Sequence, residues 1–185
     1  SGLGAGLYAY NEPDTLVLTI RNSSFDDNQS TADGGAVYFS GGRLNITGSS
    51  FSGNVAAKNG GAIGLPGGDT LVSISNSTFA HNTAKYGGVI AAHDGSWDDP
   101  VTIVNSTLVG NDAATNNTGL ASAIKTVVIA NSIIARGGAL KAACVTGNDA
   151  FAVHSGHNLT DDSSCTTRYF TLVSALDLGT AGLHG

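Results

Sequence analysis

The chain has 185 residues, with 8 lysines and arginines against 14 aspartates and glutamates, for a formal net charge of −6. This length fits one well-buried domain. Charged residues make up only 12% of the chain while 26 residues are glycine, which argues against a mainly helical protein, and the scattered basic residues offer no patch for nucleic acid. No apolar run approaches the roughly 20 residues that span a bilayer, so we expect no transmembrane segment.

A short motif recurs along the chain at intervals of 26, 28, 29 and 26 residues. Its five copies are Ile20–Phe25, Ile46–Phe51, Ile74–Phe79, Ile103–Leu108 and Ile129–Ile134. An asparagine follows each of the first four copies by three residues, and a glycine pair follows the first three at 34–35, 60–61 and 87–88. A repeat of this length predicts a solenoid, a propeller or an array.

The elements within each repeat read as short strands. Leu16, Leu18 and Ile20 alternate with more polar neighbours, and the runs are only three to five residues long. About three such strands with glycine-rich and asparagine-rich corners fill 26 to 29 residues, whereas a propeller blade needs about 40. The sequence therefore predicts an all-β, right-handed parallel β-helix (a β-solenoid) of about five to six coils.

Equivalent residues of successive coils should stack in columns that run through the molecule. The isoleucines that open the motifs and the aromatic or aliphatic residues that close them predict two apolar columns. Two asparagine columns are expected at corners, where Asn tolerates left-handed backbone dihedrals and its amide can bond the neighbouring coils. Their members are Asn22, Asn76, Asn105 and Asn131, and Asn28, Asn54, Asn82 and Asn111.

The Phe-x-x-Asn motifs and the Gly-Gly-Ala-Ile/Val motifs at 34–37 and 60–63 resemble the repeats of chlamydial-type polymorphic outer-membrane proteins and related bacterial surface β-helices. The segment 155–165, Ser-Gly-His-Asn-Leu-Thr-Asp-Asp-Ser-Ser-Cys, resembles the end of the β-helix in secreted proteins of the choice-of-anchor type. These resemblances imply a pectate-lyase-like fold, secretion or display at a cell surface, and a structural or adhesive role without a fixed catalytic set.

The two ends of the chain differ from the repeats between them. Residues 1–138 are predicted to form the coils, and 139–185 an irregular final coil and closing segment of the same domain. Residues 4–8 resemble the glycine corner at 34–38, so the first coil is expected to lack a cap, which favours either a missing part of the polypeptide or end-to-end self-association. In a secreted protein, Cys144 and Cys165 could form a disulfide, the alternative being two free thiols.

We searched the sequence for residues that could act on or bind a carbohydrate. The best acidic cluster lies in a longer loop that also holds the single tryptophan, and it predicts a ligand-binding patch or a solvated turn: His93, Asp94, Trp97, Asp98 and Asp99. Two weaker sets were considered and favoured less, namely Asp26 and Asp27 with Asp33, and His157 with Asp161 and Asp162. We predict no catalytic residues, no metal site and no cofactor.

Seven asparagines stand in N-glycosylation sequons, and Asn45 and Asn116 are the preferred candidates because the others fall largely in the predicted corner columns. Taken together, the sequence predicts a non-catalytic, extracellular or cell-surface module that builds a structure or adheres to a surface or glycan, with head-to-tail stacking into a fibre as one form of assembly. A polysaccharide lyase or hydrolase, or a glycan-binding module on the same fold, is the alternative.

Overall fold

Four parallel β-sheets run along the length of the molecule. The computed structural model describes residues 2–11, 15–66, 70–93, 99–115, 119–122, 124, 126–136, 150–151, 156–165 and 170–172. Each strand pairs in parallel with the equivalent strand one turn earlier or later, and a turn of the chain visits sheets A, B, C and D in that order. The predicted parallel β-solenoid is confirmed.

The strands of the four sheets have the following bounds. Sheet A contains Leu7–Tyr10, Val37–Ser40, Ile63–Leu65, Ile90–Ala92 and Ala121–Ser122. Sheet B contains Val17–Arg21, Arg43–Thr47, Leu71–Ser75, Val101–Val104, Thr126–Ala130 and Ala150–Phe151. Sheet C contains Ser24–Asp26, Ser50–Ser52, Thr78–Ala80, Thr107–Val109, Ile133–Ala135, Asn158–Thr160 and Phe170–Leu172. Sheet D contains Gln29–Ser30, Val55–Ala56, Thr83–Ala84 and Asp112–Ala113, and a 3₁₀ helix spans Ser163–Cys165.

The number of coils and of strands per coil differs from the prediction. Among the described residues, four turns contribute a strand to every sheet, where five to six coils were expected. The later strands extend only sheets A, B and C, following the loss of the glycine pair at Gly119-Leu120. Each full turn has a fourth strand, because a two-residue strand such as Val55–Ala56 is too short to show an alternating pattern in the sequence.

Both predicted apolar columns lie inside the solenoid in register. Ile46 pairs with Ile20 and with Ile74, and the column continues through Ile103 to Ile129, whose side chains are buried. The rings of Phe25, Phe51 and Phe79 stack nearly parallel, with centroids 4.9 and 4.7 Å apart. Each fully buried side chain of this kind stabilises the fold by roughly 1.5–3 kcal/mol, so these columns supply much of the free energy that keeps the turns together.

The two asparagine columns have different structural roles. Asn22, Asn76, Asn105 and Asn131 have positive φ angles of 47° to 50°, with Gly48 at 60° in the same column. Their side chains are exposed at the corner between sheets B and C. These residues therefore allow the left-handed backbone conformation of the corner, because Asn adopts the left-handed region more readily than most residues.

The second asparagine column is a buried hydrogen-bond ladder between sheets C and D. Asn54 Nδ2 donates to Asn82 Oδ1 at 2.8 Å and to the Phe25 carbonyl at 2.9 Å. Its Oδ1 accepts hydrogen bonds from both the backbone N and the Nδ2 of Asn28. Asn82 repeats this pattern with Asn111 and Phe51. The amides of Asn54 and Asn82, which have no exposed surface, are thus fully satisfied.

A serine ladder accompanies the asparagine ladder. The backbone N of Ser49 donates to Ser77 Oγ at 3.2 Å, while Ser49 Oγ donates to the carbonyl of Thr47. The same pair of bonds recurs at Ser23, Ser77 and Ser106. At Ser132 the Oγ bond is kept, but the backbone N donates to Asn158 Oδ1 instead of a serine. The sequence shows a serine after each corner residue, but its structural role was not predicted.

The two glycines of each pair are required for different reasons. Gly60 has a φ of 68°, which a side chain rarely tolerates. A Cβ on Gly61 would lie 2.3 Å from the Gly88 carbonyl oxygen, so the backbones of neighbouring turns approach too closely for any side chain. This explains why the pair, rather than a single glycine, recurs.

Replacing Asn82 with alanine should lower the free energy of unfolding by about 3 kcal/mol or more. The substitution leaves donors of Asn54 and the Phe51 carbonyl without partners, each at a cost of about 1–3 kcal/mol. Asn45→Ala, at a half-buried outward strand position, is the matched control and should change stability by about 0.5 kcal/mol or less. Urea unfolding followed by circular dichroism compares the two. Equal losses of unfolding free energy in Asn82→Ala and Asn45→Ala would mean that the asparagine ladder contributes little to stability.

Candidate functional site

One group of polar side chains departs from the column pattern. Asp33, Asn59 and Tyr86 occupy the same position in successive turns, immediately before the positive-φ glycine of each corner. Three chemically different residues therefore stand where a repeating ladder would place the same one. The first two are buried, with exposed fractions of 4% and 7%.

Asp33 holds two neighbours from later turns. Its Oδ1 accepts hydrogen bonds from the backbone N of Asn59 at 3.0 Å and from Asn59 Nδ2 at 2.8 Å. Its Oδ2 lies 3.0 Å from Nδ1 of His93, which is 60 residues further along the chain. The side chain of Asp33 is 6% exposed and that of His93 is 45% exposed. A buried carboxylate and amide thus fix one edge of a solvent-accessible imidazole.

The backbone brings these three turns together at sheet A. His93 follows the strand Ile90–Ala92, and its backbone N donates to the carbonyl of Leu65 at 2.9 Å. Gly64 lies in the neighbouring strand, where a Cβ would be 2.4 Å from the backbone N of Gly34. The missing side chain at Gly64 therefore lets the corner at Asp33–Gly34 pack directly on the sheet, within reach of His93.

A groove of about 470 Å³ opens beside this group. Its lining includes Asp33, His93, Lys58 and the buried Tyr38, together with the apolar residues Leu3 and Pro66. Pockets of this volume, with a few placed polar groups on an apolar wall, are typical of small-molecule sites. Titratable groups, burial and a concave surface thus coincide at this corner.

The predicted acidic cluster is only partly described. His93 lies at the groove, and Asp99 is half-buried just before the strand Val101–Val104. Asp94, Trp97 and Asp98 fall outside the described residues. The sequence thus identified His93 but not its partners Asp33 and Asn59, since only the fold brings residues 33, 59 and 93 together.

The members of the other acidic sets have separate environments among the described residues. Asp26 and Asp27 are exposed, whereas Asp33 is engaged with Asn59 and His93. Asp161 accepts a hydrogen bond from the backbone N of Arg136. Asp162 is buried and accepts from the backbone N and the Oγ of Ser164, so it caps the 3₁₀ helix. No group of three or more potential metal ligands occurs among the residues that were described.

The sequons differ in how accessible their asparagines are. Asn22, Asn76 and Asn105 are exposed at the left-handed corner. Oδ1 of the equivalent Asn131 accepts a hydrogen bond from the backbone N of His157 in the next coil, and the expectation that the other three amides are engaged stays a prediction. Asn158 is fully buried, and its Oδ1 accepts from the backbone N of Ser132. Asn45 is half-buried on an outward strand position, and Asn116 is outside the described residues. The choice of Asn45 and Asn116 stays a prediction.

The disulfide also stays a prediction. Cys165 is 3% exposed and ends the 3₁₀ helix, and no described cysteine is a free thiol. Cys144 lies outside the described residues, so the bond itself is not seen. The described residues include no helix long and apolar enough to cross a membrane.

Removing the Asp33 carboxylate should destabilise the protein even though the residue is not part of the apolar core. Asp33→Ala leaves two donors of Asn59 unpaired in a buried position, for an expected loss of about 1–3 kcal/mol in the free energy of unfolding. The exposed Asp26→Ala is the control, with an expected change of about 0.5 kcal/mol or less. A stable Asp33→Ala protein would show that the group is not a structural constraint.

The cysteines can be tested by thiol titration of the unfolded chain without reductant. We expect the unfolded chain of the unmodified sequence to show no reactive thiol and the unfolded Cys144→Ser variant to show one. Loss of the bond should lower stability by roughly 3 kcal/mol, because the bond closes a loop of about 20 residues. Two reactive thiols in the unmodified protein would contradict the disulfide.

Comparison with known families gives a match within the first turns of the solenoid. Residues 22–40 and 48–65 match the model of the Chlamydia polymorphic membrane protein (Chlamydia_PMP) repeat. Each segment contains a stacked phenylalanine, a ladder asparagine and a glycine pair. No curated protein and no solved structure is significantly similar to the chain. The resemblance of residues 155–165 to choice-of-anchor proteins stays a prediction, whereas the resemblance to polymorphic membrane protein repeats is confirmed for two segments of the β-solenoid, which are similar to that repeat.

Proposed function

We propose that the chain is a non-catalytic structural and adhesive module of a surface or outer-membrane protein. The observation that carries this proposal is the match of two consecutive turns to a membrane-protein repeat, in a solenoid of parallel sheets that continue into the neighbouring turns. A repeat of this kind is typical of surface proteins that are not enzymes. The stacked turns provide a rigid body on which outward side chains are presented at regular spacing.

The outward surface supports an adhesive role. Sheet B presents a column of short polar side chains, Thr19, Asn45, Ser73 and Thr102, each pairing in register with the next. Val17 and Leu71 flank it at 59% and 38% exposure, and the exposed Arg43 pairs with both of them in the same column. A surface of hydroxyls, amides, apolar groups and arginine can make hydrogen bonds and apolar contacts with a glycan or protein partner.

End-to-end assembly into a fibre forms the finer part of the proposal. In the first described coil, Leu16, Leu18 and Phe25 are only partly buried against the core, although their columns continue through the later turns. A further coil, from the same polypeptide or from a second copy, would extend these columns. Head-to-tail contacts of this type generate open filaments when the rotation does not close.

A carbohydrate-active enzyme is the alternative, and the orientation of His93 by Asp33 beside a groove is the observation that favours it. Against it, among the described residues, Asp26 and Asp27 lie exposed at the corner between sheets C and D, and Asp161 follows a strand several turns further along the solenoid than Asp33. A glycosidase needs two carboxyl groups about 5–10 Å apart across the bond that is cleaved.

The proposal can be tested with the purified chain on immobilised polysaccharides and on cells. We expect saturable surface binding and no release of reducing ends or unsaturated products from a polysaccharide panel. Asp98→Ala and Asp99→Ala are included because product release that depends on either carboxylate would reverse the assignment. Electron microscopy of the same material tests assembly: regular filaments are expected, and isolated particles at all concentrations would contradict stacking.

A further inference from the structure

The outward face of sheet B carries positive charge without negative charge. Its five longer strands contain no aspartate or glutamate: Val17–Arg21, Arg43–Thr47, Leu71–Ser75, Val101–Val104 and Thr126–Ala130. The strands of sheets C and D, by contrast, include Asp26 and Asp112. Arg21 and Arg43 are exposed on the face of sheet B. In a chain with a net charge of −6, this face therefore attracts an anion that the rest of the protein repels.

The guanidinium groups of both arginines are available to a ligand. Neither side chain makes an ion pair or a hydrogen bond within the described part of the chain. Asp99, at the same edge of the sheet as Arg43, is half-buried and lies two turns further along. A guanidinium is less strongly hydrated than an ammonium, so an anion displaces its water at a lower cost.

The two arginines lie too far apart to hold one small anion together. Arg43 pairs with Val17, which stands four residues before Arg21 on the neighbouring strand. At about 3.3 Å per residue and about 4.8 Å between strands, their Cα atoms are about 14 Å apart. Side chains stand roughly perpendicular to a sheet, so the two guanidinium groups remain separated by a similar distance. A ligand that contacts both must therefore be extended and carry several anionic groups.

The surface between the arginines offers hydroxyl and amide groups. Thr19 and Asn45 pair in register at its centre, and Thr47 pairs with Arg21. Thr47 Oγ1 lies 3.1 Å from Ser75 Oγ, and either atom can be the donor. That bond uses one of the two hydroxyl hydrogens, so the other can donate to a ligand beside Arg21. An arginine next to a hydroxyl donor suits an anion with three terminal oxygens, two for the guanidinium and one for the hydroxyl.

The same face favours a saccharide over a peptide. The backbone groups of sheet B pair with those of neighbouring turns, so an extended peptide lying on this face finds no strand edge to join. The outward positions of the five strands hold no aromatic side chain, and aromatic residues are enriched among the anchors of protein interfaces. Hydroxyl and amide groups can bond the hydroxyls of sugars, while the exposed Val17 and Leu71 add apolar contact area.

We propose that the outward face of sheet B binds a sulfated polysaccharide, with sulfate groups on Arg21 and Arg43 and sugar hydroxyls on Thr19 and Asn45. A sulfate ester has the three terminal oxygens that Arg21 and Thr47 can share. A polymer with sulfate groups along its length also spans the distance between the two arginines. The proposal rests on the adhesive role given above and assigns a ligand class to it.

The test uses dextran sulfate and dextran, which share one sugar backbone and differ in the sulfate groups. Biolayer interferometry should show that the chain binds dextran sulfate at least about tenfold more tightly than dextran, since one hydrogen bond to a charged group contributes at least about that factor. Polygalacturonate supplies carboxylates on a sugar chain, and polyglutamate supplies them on a peptide. Both should bind more weakly than dextran sulfate, because a carboxylate has no third oxygen for Thr47.

Lys85 provides a matched control for the arginines. It is exposed at the corner between sheets D and A, and its Nζ lies 5.2 Å from the centroid of the Tyr86 ring. Arg21→Gln and Arg43→Gln should each weaken dextran sulfate binding about tenfold, whereas Lys85→Gln, which removes the same charge, should leave it unchanged. Arg21→Lys should restore only part of the affinity, because an ammonium cannot bind two oxygens as a planar fork. Circular dichroism verifies the fold of each variant.

The ligand assignment is overturned by equal affinity for dextran and dextran sulfate, by no binding of dextran sulfate, or by equal losses in Lys85→Gln and the arginine variants. Polygalacturonate or polyglutamate binding as tightly as dextran sulfate would overturn it as well. Binding of the chain to cells is measured separately. Cell binding that persists when both arginines are replaced by glutamine would reject this face and leave the adhesive role standing, whereas no cell binding by the unmodified chain would contradict the adhesive role itself.

Discussion

Parallel stacking of successive turns requires every buried group to be compatible with a copy of itself about 4.8 Å away. Apolar side chains meet this requirement easily, as the isoleucine column and the stacked phenylalanine rings show. Polar groups meet it only if they are both donor and acceptor along the stacking direction. Asparagine and serine satisfy this condition, and aspartate does not, because two stacked carboxylates would repel each other.

The two ladders show how the corners remain buried without losing stability. At each of these corners one backbone N–H outside the strands donates to a side chain of the next turn, as Asn54 N does to Asn82 Oδ1 and Ser77 N does to Ser106 Oγ. The neighbouring N–H groups of Gly48 and Gly53 donate to backbone carbonyls. A buried donor left unpaired would cost about 1–3 kcal/mol, and the cost would recur at every turn. The ladders thus permit the tight corners that define the cross-section, and with it the four-sheet arrangement.

The extent to which this fold could be predicted depended on whether a feature repeats. The register of Ile20, Ile46 and Ile74 and the role of the glycine pairs follow from the spacing of the motifs alone. The two-residue strands of sheet D and the outward orientation of Asn76 could not be predicted, since neither leaves a pattern of alternation. The group of Asp33, Asn59 and His93 could not be predicted from the sequence either. Its residues do not repeat from turn to turn, and only the fold brings positions 33, 59 and 93 together.

The ladders also give the solenoid a direction. In each asparagine pair the backbone N of the earlier turn is the donor and the Oδ1 of the later turn is the acceptor, and the serine pairs run the same way from backbone N to Oγ. For these backbone bonds the two ends of the body are unlike, one presenting side-chain acceptors and the other backbone donors, while the Nδ2 groups of Asn54, Asn82 and Asn111 donate in the reverse direction to a carbonyl of an earlier turn. Two copies that met with like ends together would place acceptor against acceptor or donor against donor, so the hydrogen-bond polarity of the corners favours a single orientation for any coil that joins the stack.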